Sequence, residues 1–333
     1  MTRFSRLRRF GGFARNGALA VFAVLMSVSY SPATADGYPE RPVQLVVPAG
    51  PGSSTDTIMR SLAQAAAPML GQSIVILNKP GASGTIGVSF VTRSDPDGYT
   101  IGGVPSGAIT MAPHVAAQSF QQADYRIVAM ITQAAGVLCV HPDFPAKNAA
   151  EFLAELKNNP DKYTYGSDGV GAFVQFSTAR IFQPLGIRQR IIPYSGADQT
   201  VTAFLSRTID IYGGVIATIA QFVAEGKAKC LLLTTARRFA TLPDVESLDD
   251  VKMAPSQTLL WRAVIAPRDI PQDRFEKLRD VLTKAAQTPE FKAMAAKRGE
   301  EVWVISAEDA AKYAASEFVQ MEQLAKELHL KPN

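Results

Sequence analysis

Along this chain, short apolar runs break repeatedly into loops of small residues that open helices, and this alternation limits the available folds more than any other feature. The clearest case is the apolar run 43–47, followed by Pro48-Ala49-Gly50-Pro51-Gly52-Ser53-Ser54-Thr55-Asp56. A helix is expected over residues 55–70, with Leu62, Ala65, Ala66 and Met69 on one face. A second apolar run, 73–77, leads through Asn78-Lys79-Pro80-Gly81-Ala82-Ser83-Gly84-Thr85 into a helix over 85–92. After the turn Asp95-Pro96-Asp97-Gly98, a third strand is expected over 99–104. This βαβαβ order favours a parallel sheet with helices on both faces. Ligands of such sheets sit outside the carboxyl ends of the strands, where these loops lie.

The same design recurs after His141. A helix over 149–158 and a strand over 163–165 precede Gly166-Ser167-Asp168-Gly169-Val170-Gly171-Ala172, another small-residue turn. A strand over 190–194 ends in Tyr194-Ser195-Gly196 before a helix over 198–205, and Ile209-Asp210-Ile211-Tyr212-Gly213-Gly214 reads as a strand and loop. Strands over 230–235 and 260–267 carry the chain back. Helices over 273–287, 289–298 and 307–327 close it, with a strand over 301–305 between the last two. The expected architecture is a clamshell of two α/β lobes, each a mainly parallel sheet flanked by helices. Residues 36–141 and 235–333 form the first lobe and 142–234 the second, with the cleft between them.

Residues 1–35 read as an address rather than as structure. Arg3, Arg6, Arg8, Arg9 and Arg15 precede the apolar run 18–28, and Ala33-Thr34-Ala35 offers a cleavage site before Asp36. That run is shorter than the ~20 residues a stable membrane-spanning helix needs. A signal peptide cleaved after Ala35 and export to the periplasm are therefore expected. Its five arginines turn the formal charge of +4 into −1 for the rest. No basic face for nucleic acid is expected. Cys139 and Cys230 both lie in apolar runs. Two buried thiols are the expected state, with a disulfide open to them if their strands are neighbours.

Helix-opening loops of this kind present unpaired backbone N–H groups at the positive end of a helix dipole, ready for a carboxylate without help from a basic side chain. Ser53, Ser54 and Thr55 add hydroxyls there, and Asp56 is expected to cap or brace its own helix. The competing reading assigns all four to N-cap chemistry. Ser83 and Ser106 are either ligand donors or plain turn residues. Gly169 and Gly171 either admit a ligand to the backbone or simply permit positive φ. Tyr194 either faces the cleft or packs. Catalysis has little support. His114, His141 and His329 are the only histidines, and no nucleophile elbow, zinc spacing, Walker loop or dinucleotide fingerprint occurs. No cofactor or metal is expected.

An ordered set of motifs resembles one family. It comprises Tyr38-Pro39-Glu40-Arg41-Pro42, Val46-Val47-Pro48, Pro51-Gly52 with Asp56, Gly71-Gln72, Asn78-Lys79-Pro80-Gly81-Ala82 with Gly84 and Gly87, and Asp97-Gly98-Tyr99-Thr100. It continues through Gly166-Ser167, Gly169, Gly171, Pro193-Tyr194, Gly196, residues 224–227, Leu242-Pro243-Asp244-Val245, Ala266-Pro267 and Gly299. The chain thus resembles the Bug-type periplasmic receptors of tripartite tricarboxylate transporters.

The resemblance implies a Venus-flytrap, type II-like binding protein that captures a small organic acid and delivers it to a two-subunit membrane permease. Gly52, Ser53, Ser54, Thr55, Ser83 and Ser106 would line the first lobe's side of the cleft. Gly169, Gly171, Ala172, Tyr194, Ser195 and Gly214 would line the second. Against the family pattern, Ser53 and Ser83 replace glycines, Ala49 a Phe, Ala172 a Ser, Gln175 a His and Ser195 a Lys. Gly213-Gly214 replaces a bulkier pair, so a second carboxylate is not expected at the distal end. A monomer is expected. A sensor protein signalling to a membrane kinase is the alternative output, and a hydrolase or isomerase on the same lobes a third.

Overall fold

The computed structural model describes residues 37–194 and 196–330. The expected signal peptide, its cleavage after Ala35 and the candidate Ser195 lie outside the described residues. In chain order the first elements are β1 (Val43–Val47), α1 (Ser54–Leu70), β2 (Ile74–Asn78), α2 (Thr85–Thr92), β3 (Thr100–Pro105), α3 (Ser106–Thr110) and β4 (Tyr125–Val140). Next come α4 (Ala149–Asn158), β5 (Thr164–Ser167), α5 (Phe173–Phe182), β6 (Arg190–Pro193), α6 (Ala197–Leu205), β7 (Ile211–Val215), α7 (Ile216–Ala224) and β8 (Lys229–Leu233). The chain ends with β9 (Leu259–Pro267), α8 (Gln272–Ala286), α9 (Pro289–Lys297), β10 (Glu300–Val302) and α10 (Ala307–Glu327).

The strands join in the order β2-β1-β3-β9-β4-β7-β5-β6, with β8 and β10 also paired to β4. Among the described strands, parallel strand pairs are β1 with β2 and β3, and β5 with β6 and β7. The strands that carry the chain between the lobes, β4 and β9, are antiparallel to their neighbours. The sheet is therefore mixed, where mainly parallel lobes were expected. Helical crossovers make the outer pairs parallel, whereas β4 and β9 cross the molecule in opposite senses. Tyr125 to Ala135 of β4 pair with β9, and Gly136 to Val140 pair with β7. One strand thus serves both halves. It is buried along most of its length, as a strand covered on both faces must be.

Each half has its own core. Leu45, Val47, Ile58, Met59 and Leu62 pack with Phe275 and Leu278 of α8 in the first. Phe152 and Leu156 of α4 pack on Leu138, Val140 and Tyr163 in the second. The two halves share α10. Its Ala310 and Ala314 pack with Trp261 of β9, and its Met321, Leu324 and Ala325 pack with Phe173 and Phe176 of α5. Cys139 and Cys230 lie opposite each other in β4 and β8 and form a disulfide, which corrects the expectation of two buried thiols. Gly213 and Gly214 fall inside β7 and not in a loop, because they pair with Leu138 and Val137 of β4. No helix among the described residues is long and apolar enough to cross a membrane.

Candidate functional site

The loop between β1 and α1 is held by Asp56, which is 2% exposed. Its carboxylate accepts Gly52 N–H at 2.8 Å, Asn78 Nδ2 at 2.7 Å and Arg60 Nε at 2.8 Å. Burial opposes its ionisation, but these donors hold the carboxyl below the ordinary range. Ser53 caps α1, its hydroxyl oxygen accepting Asp56 N–H at 3.2 Å. The bracing role expected of Asp56 is therefore present, and Gly52 is fixed by it.

Ser54 and Thr55 turn their hydroxyls inward. Ser54 Oγ donates to Glu300 Oε1 at 3.0 Å and accepts Arg262 Nη2 at 2.9 Å, while Thr55 Oγ1 accepts Arg262 Nε at 3.3 Å. Arg262 and Glu300 are 1% and 3% exposed, with Nη1 2.5 Å from Oε2. Thr132 Oγ1 donates to the same Oε2 at 2.7 Å. An ion pair drawn from β9 and β10 thus lies directly behind the start of α1. The sequence reading included neither residue, although an arginine in the apolar run Leu259–Pro267 was a signal, since a buried charge requires a partner. What α1 can offer a ligand is its first-turn N–H groups, which no helix pairs internally.

The second loop adopts an unusual backbone. Gly81, Ala82, Ser83 and Gly84 all have positive φ, at +125°, +47°, +53° and +94°. A Cβ on Gly84 would meet Ala108 Cβ at 2.9 Å and Pro48 O at 3.4 Å, so this loop packs on the first one. Ser83 Oγ donates to Val170 O at 3.3 Å, and a Cβ on Gly169 would lie 3.8 Å from that hydroxyl. This contact joins the first half to the second. Ser106, by contrast, is fully buried at the start of α3, its Oγ accepting Trp261 N–H at 3.5 Å.

In the second half, Gly169, Gly171 and Ala172 form the turn from β5 into α5, and Ala172 is that helix's N-cap residue. A Cβ on Gly171 would fall 2.1 Å from Val115 Cγ2 at a φ of +73°, so only glycine fits this approach to the other half. Gly171 N–H donates to Gln175 Oε1 at 2.7 Å. Tyr194 is half-buried just after β6, where its N–H donates to Ser167 O at 2.9 Å. Gly214 lies near the end of β7, beneath the Tyr212 hydroxyl. The structure therefore brings Ser83 against Gly169 and Val170, and sets Tyr194 and Gly214 at the ends of β6 and β7, the two strands that flank β5.

The remaining polar features point away from catalysis. His114 lies tilted against Phe318 with ring centroids 4.2 Å apart, and burial pushes its pKa down. His141 stacks on Phe204 at 4.2 Å. No group of residues fit to hold a metal ion occurs among the described residues. A surface concavity of about 1060 Å³ lies along α2, lined by Ile86, Phe90 and Arg93 and by Lys79, Ala82 and Thr85 of the second loop.

Comparison with known proteins agrees with this geometry. The model of the tripartite tricarboxylate transporter family receptor, TctC, matches residues 58–330. A UPF0065 protein of Bordetella pertussis is 32% identical over 100% of both chains. Protein BugT of the same species is 27% identical over 75% of this chain and 78% of its own. The solved periplasmic binding protein BugD is 28% identical and superposes with a TM-score of 0.78, covering 89% of this chain and 100% of that one. MatC from Rhodopseudomonas palustris, solved with bound malate, shares the fold at 24% identity and a TM-score of 0.77, covering 86% and 99%.

Proposed function

The chain belongs to the tripartite tricarboxylate transporter receptor family, and from that premise we propose that it captures a small organic acid and delivers it to a two-subunit membrane permease. Members of this family are solute-binding receptors and not enzymes. In this reading the signal peptide is removed after Ala35 and the mature protein works in the periplasm as a monomer. Residues 36–141 with 235–333, and residues 142–234, close on the ligand as two lobes. One carboxylate lies against the first-turn N–H groups of α1 and the loop around Ser83. The turn Gly169–Ala172, with Tyr194, Ser195 and Gly214, covers the other end.

The observation that carries this reading is the Ser83–Val170 hydrogen bond, 3.3 Å long, between two strand-to-helix loops of opposite halves. It supports an arrangement in which two anion-type loops of one half face a third from the other. A ligand that binds only the folded protein raises its melting temperature. A thermal-shift panel of mono-, di- and tricarboxylates, aromatic acids and amino acids is expected to contain at least one stabilising acid. Silence across the panel would reject the reading.

A further inference from the structure

Helix α2 is apolar on two sides. Val88 and Val91 pack inward with Val46 and Val104, and Gly87 lies against Pro48. On the other side Ile86 and Phe90, one turn apart, are 53% and 38% exposed. A surface helix normally turns polar residues to water, so a pair of large apolar side chains there marks a face that a partner covers.

Both side chains line the concavity of about 1060 Å³ along α2. Its cations are Arg41, Lys79 and Arg93, and its acids are Asp95 and Asp97. Arg41 and Asp97 pair with each other at 3.0 Å. Lys79 Nζ lies 4.2 Å from the centre of the Phe90 ring, and Arg93 Nη2 donates to Ser119 O at 3.2 Å. Neither cation has a carboxylate partner among the described residues. The apolar pair is thus flanked by two positive charges that nothing neutralises. The concavity also reaches the contact between the halves. Ala82 and Thr85 line it, and Ser83 between them donates to Val170 O. Ile86 Cδ1 would stand 2.5 Å from a Cβ on Gly81, so this side chain rests on the same loop.

The shape and charge of this flank select its occupant. A bilayer is flat and does not enter a concavity. A second copy seated face to face would bring Lys79 and Arg93 near the same cations. A protruding protein segment fits, with apolar side chains for Ile86 and Phe90 and a carboxylate for Lys79 and Arg93. Resting on the receptor reading above, we infer that this flank of α2 is where the membrane permease docks, through a periplasmic segment that combines apolar side chains with Asp or Glu.

Site-specific photocross-linking in the bacterium that makes the protein tests this. Phe90 is replaced by p-benzoylphenylalanine, and Val319, an exposed apolar residue of α10, is the control position. The Phe90 position is expected to cross-link to a permease subunit, on a peptide with apolar and acidic residues identified by mass spectrometry. The Val319 position is expected to capture none. Arg93→Glu in the Phe90 cross-linking protein is expected to lower the yield roughly tenfold, the scale of turning one attractive charge contact repulsive. Its melting temperature, and the shift of that temperature by acids, should stay unchanged. Cross-links only to a second copy of this chain, only to lipid, or to no permease subunit would overturn the inference. So would equal capture from Val319, or a yield that survives Arg93→Glu. A stabilising acid in the thermal panel beside any of these outcomes leaves the receptor reading standing, whereas a silent panel with no permease captured defeats both. Should Arg93→Glu not fold, the contrast between Phe90 and Val319 decides by itself.

Discussion

Arg262 and Glu300 are ion-pair partners almost wholly withdrawn from water, at 1% and 3% exposure. A guanidinium stays charged at any working pH, so removing its partner leaves a buried charge with nothing but the Ser54 and Thr55 hydroxyl oxygens near it. Glu300→Ala is therefore expected to lower unfolding free energy by about 3–5 kcal/mol, measured by urea denaturation. The double variant Arg262→Met with Glu300→Gln should cost much less, because neither partner is stranded. A near-neutral Glu300→Ala would show that the pair is not a structural support of α1. The same pair explains why the hydroxyls of Ser54 and Thr55 turn inward. The Ser54 proton is committed to Glu300, so Ser54 offers a carboxylate at this loop its main-chain N–H and not its hydroxyl.

Among the elements, β4 does most to hold the halves together, because β9, β10, β7 and β8 all pair with it. The Cys139–Cys230 bond ties β4 to β8 across a sequence separation of 91 residues. Closing a loop of that length restrains the unfolded chain by roughly 4–5 kcal/mol on the chain-entropy account. The double variant Cys139→Ala with Cys230→Ala is expected to lose about 2–5 kcal/mol in urea unfolding, and reductant should then have no further effect on it. A loss below that range would mean the pairing of β4 with β8 needs no covalent support. Ligand affinity should be little altered, since Cys139 lies near the carboxyl end of β4, which pairs with the amino end of β7, and Cys230 near the amino end of β8, away from the carboxyl ends of β5, β6 and β7.

Across the whole molecule, α10 spans both halves, and Glu317 is its buried acid. Thr110 Oγ1 and Trp261 Nε1 each donate to Glu317 Oε2 at 2.9 Å. Arg180 of α5 and Tyr313 of α10 are the other titratable groups facing it. Burial pushes its carboxyl up to about 7, against the Thr110 and Trp261 hydrogen bonds and the Arg180 charge. The folded protein therefore holds a proton that the unfolded chain releases near its ordinary value of 4.5. That contribution is fully present below 4.5 and is lost as pH rises through about 7. The 2.5-unit difference corresponds to ~3 kcal/mol. His114, held neutral by burial, acts in the opposite sense below its ordinary value, so the comparison must be with a variant. Glu317→Gln is expected to remove the wild-type fall in stability between pH 5 and 7, read as melting temperature against pH. Parallel curves for the two proteins would refute the assignment.

Much of the fold was legible in the chain because its signals are local. Ser53 before an apolar-periodic stretch starts α1, Pro289 just inside the start of a helix marks α9, and runs such as 43–47 can be little else than buried strands. An ordered set of small-residue turns was enough for the family, since each encodes its own backbone geometry. The residues around the crevice were legible as loops but not as orientations. Whether Ser54 and Thr55 look toward a ligand or toward Arg262 depends on β9 and β10, more than 200 residues away. The 16-residue β4 was only partly visible, because its middle, Gln133-Ala134-Ala135-Gly136, lacks strand-forming residues and becomes a strand through its neighbours. Pairing the two cysteines and turning the crossing strands antiparallel likewise required contacts between distant segments. Local backbone preference acts over a few residues and was already in the sequence; burial and charge are set by whatever the fold brings near.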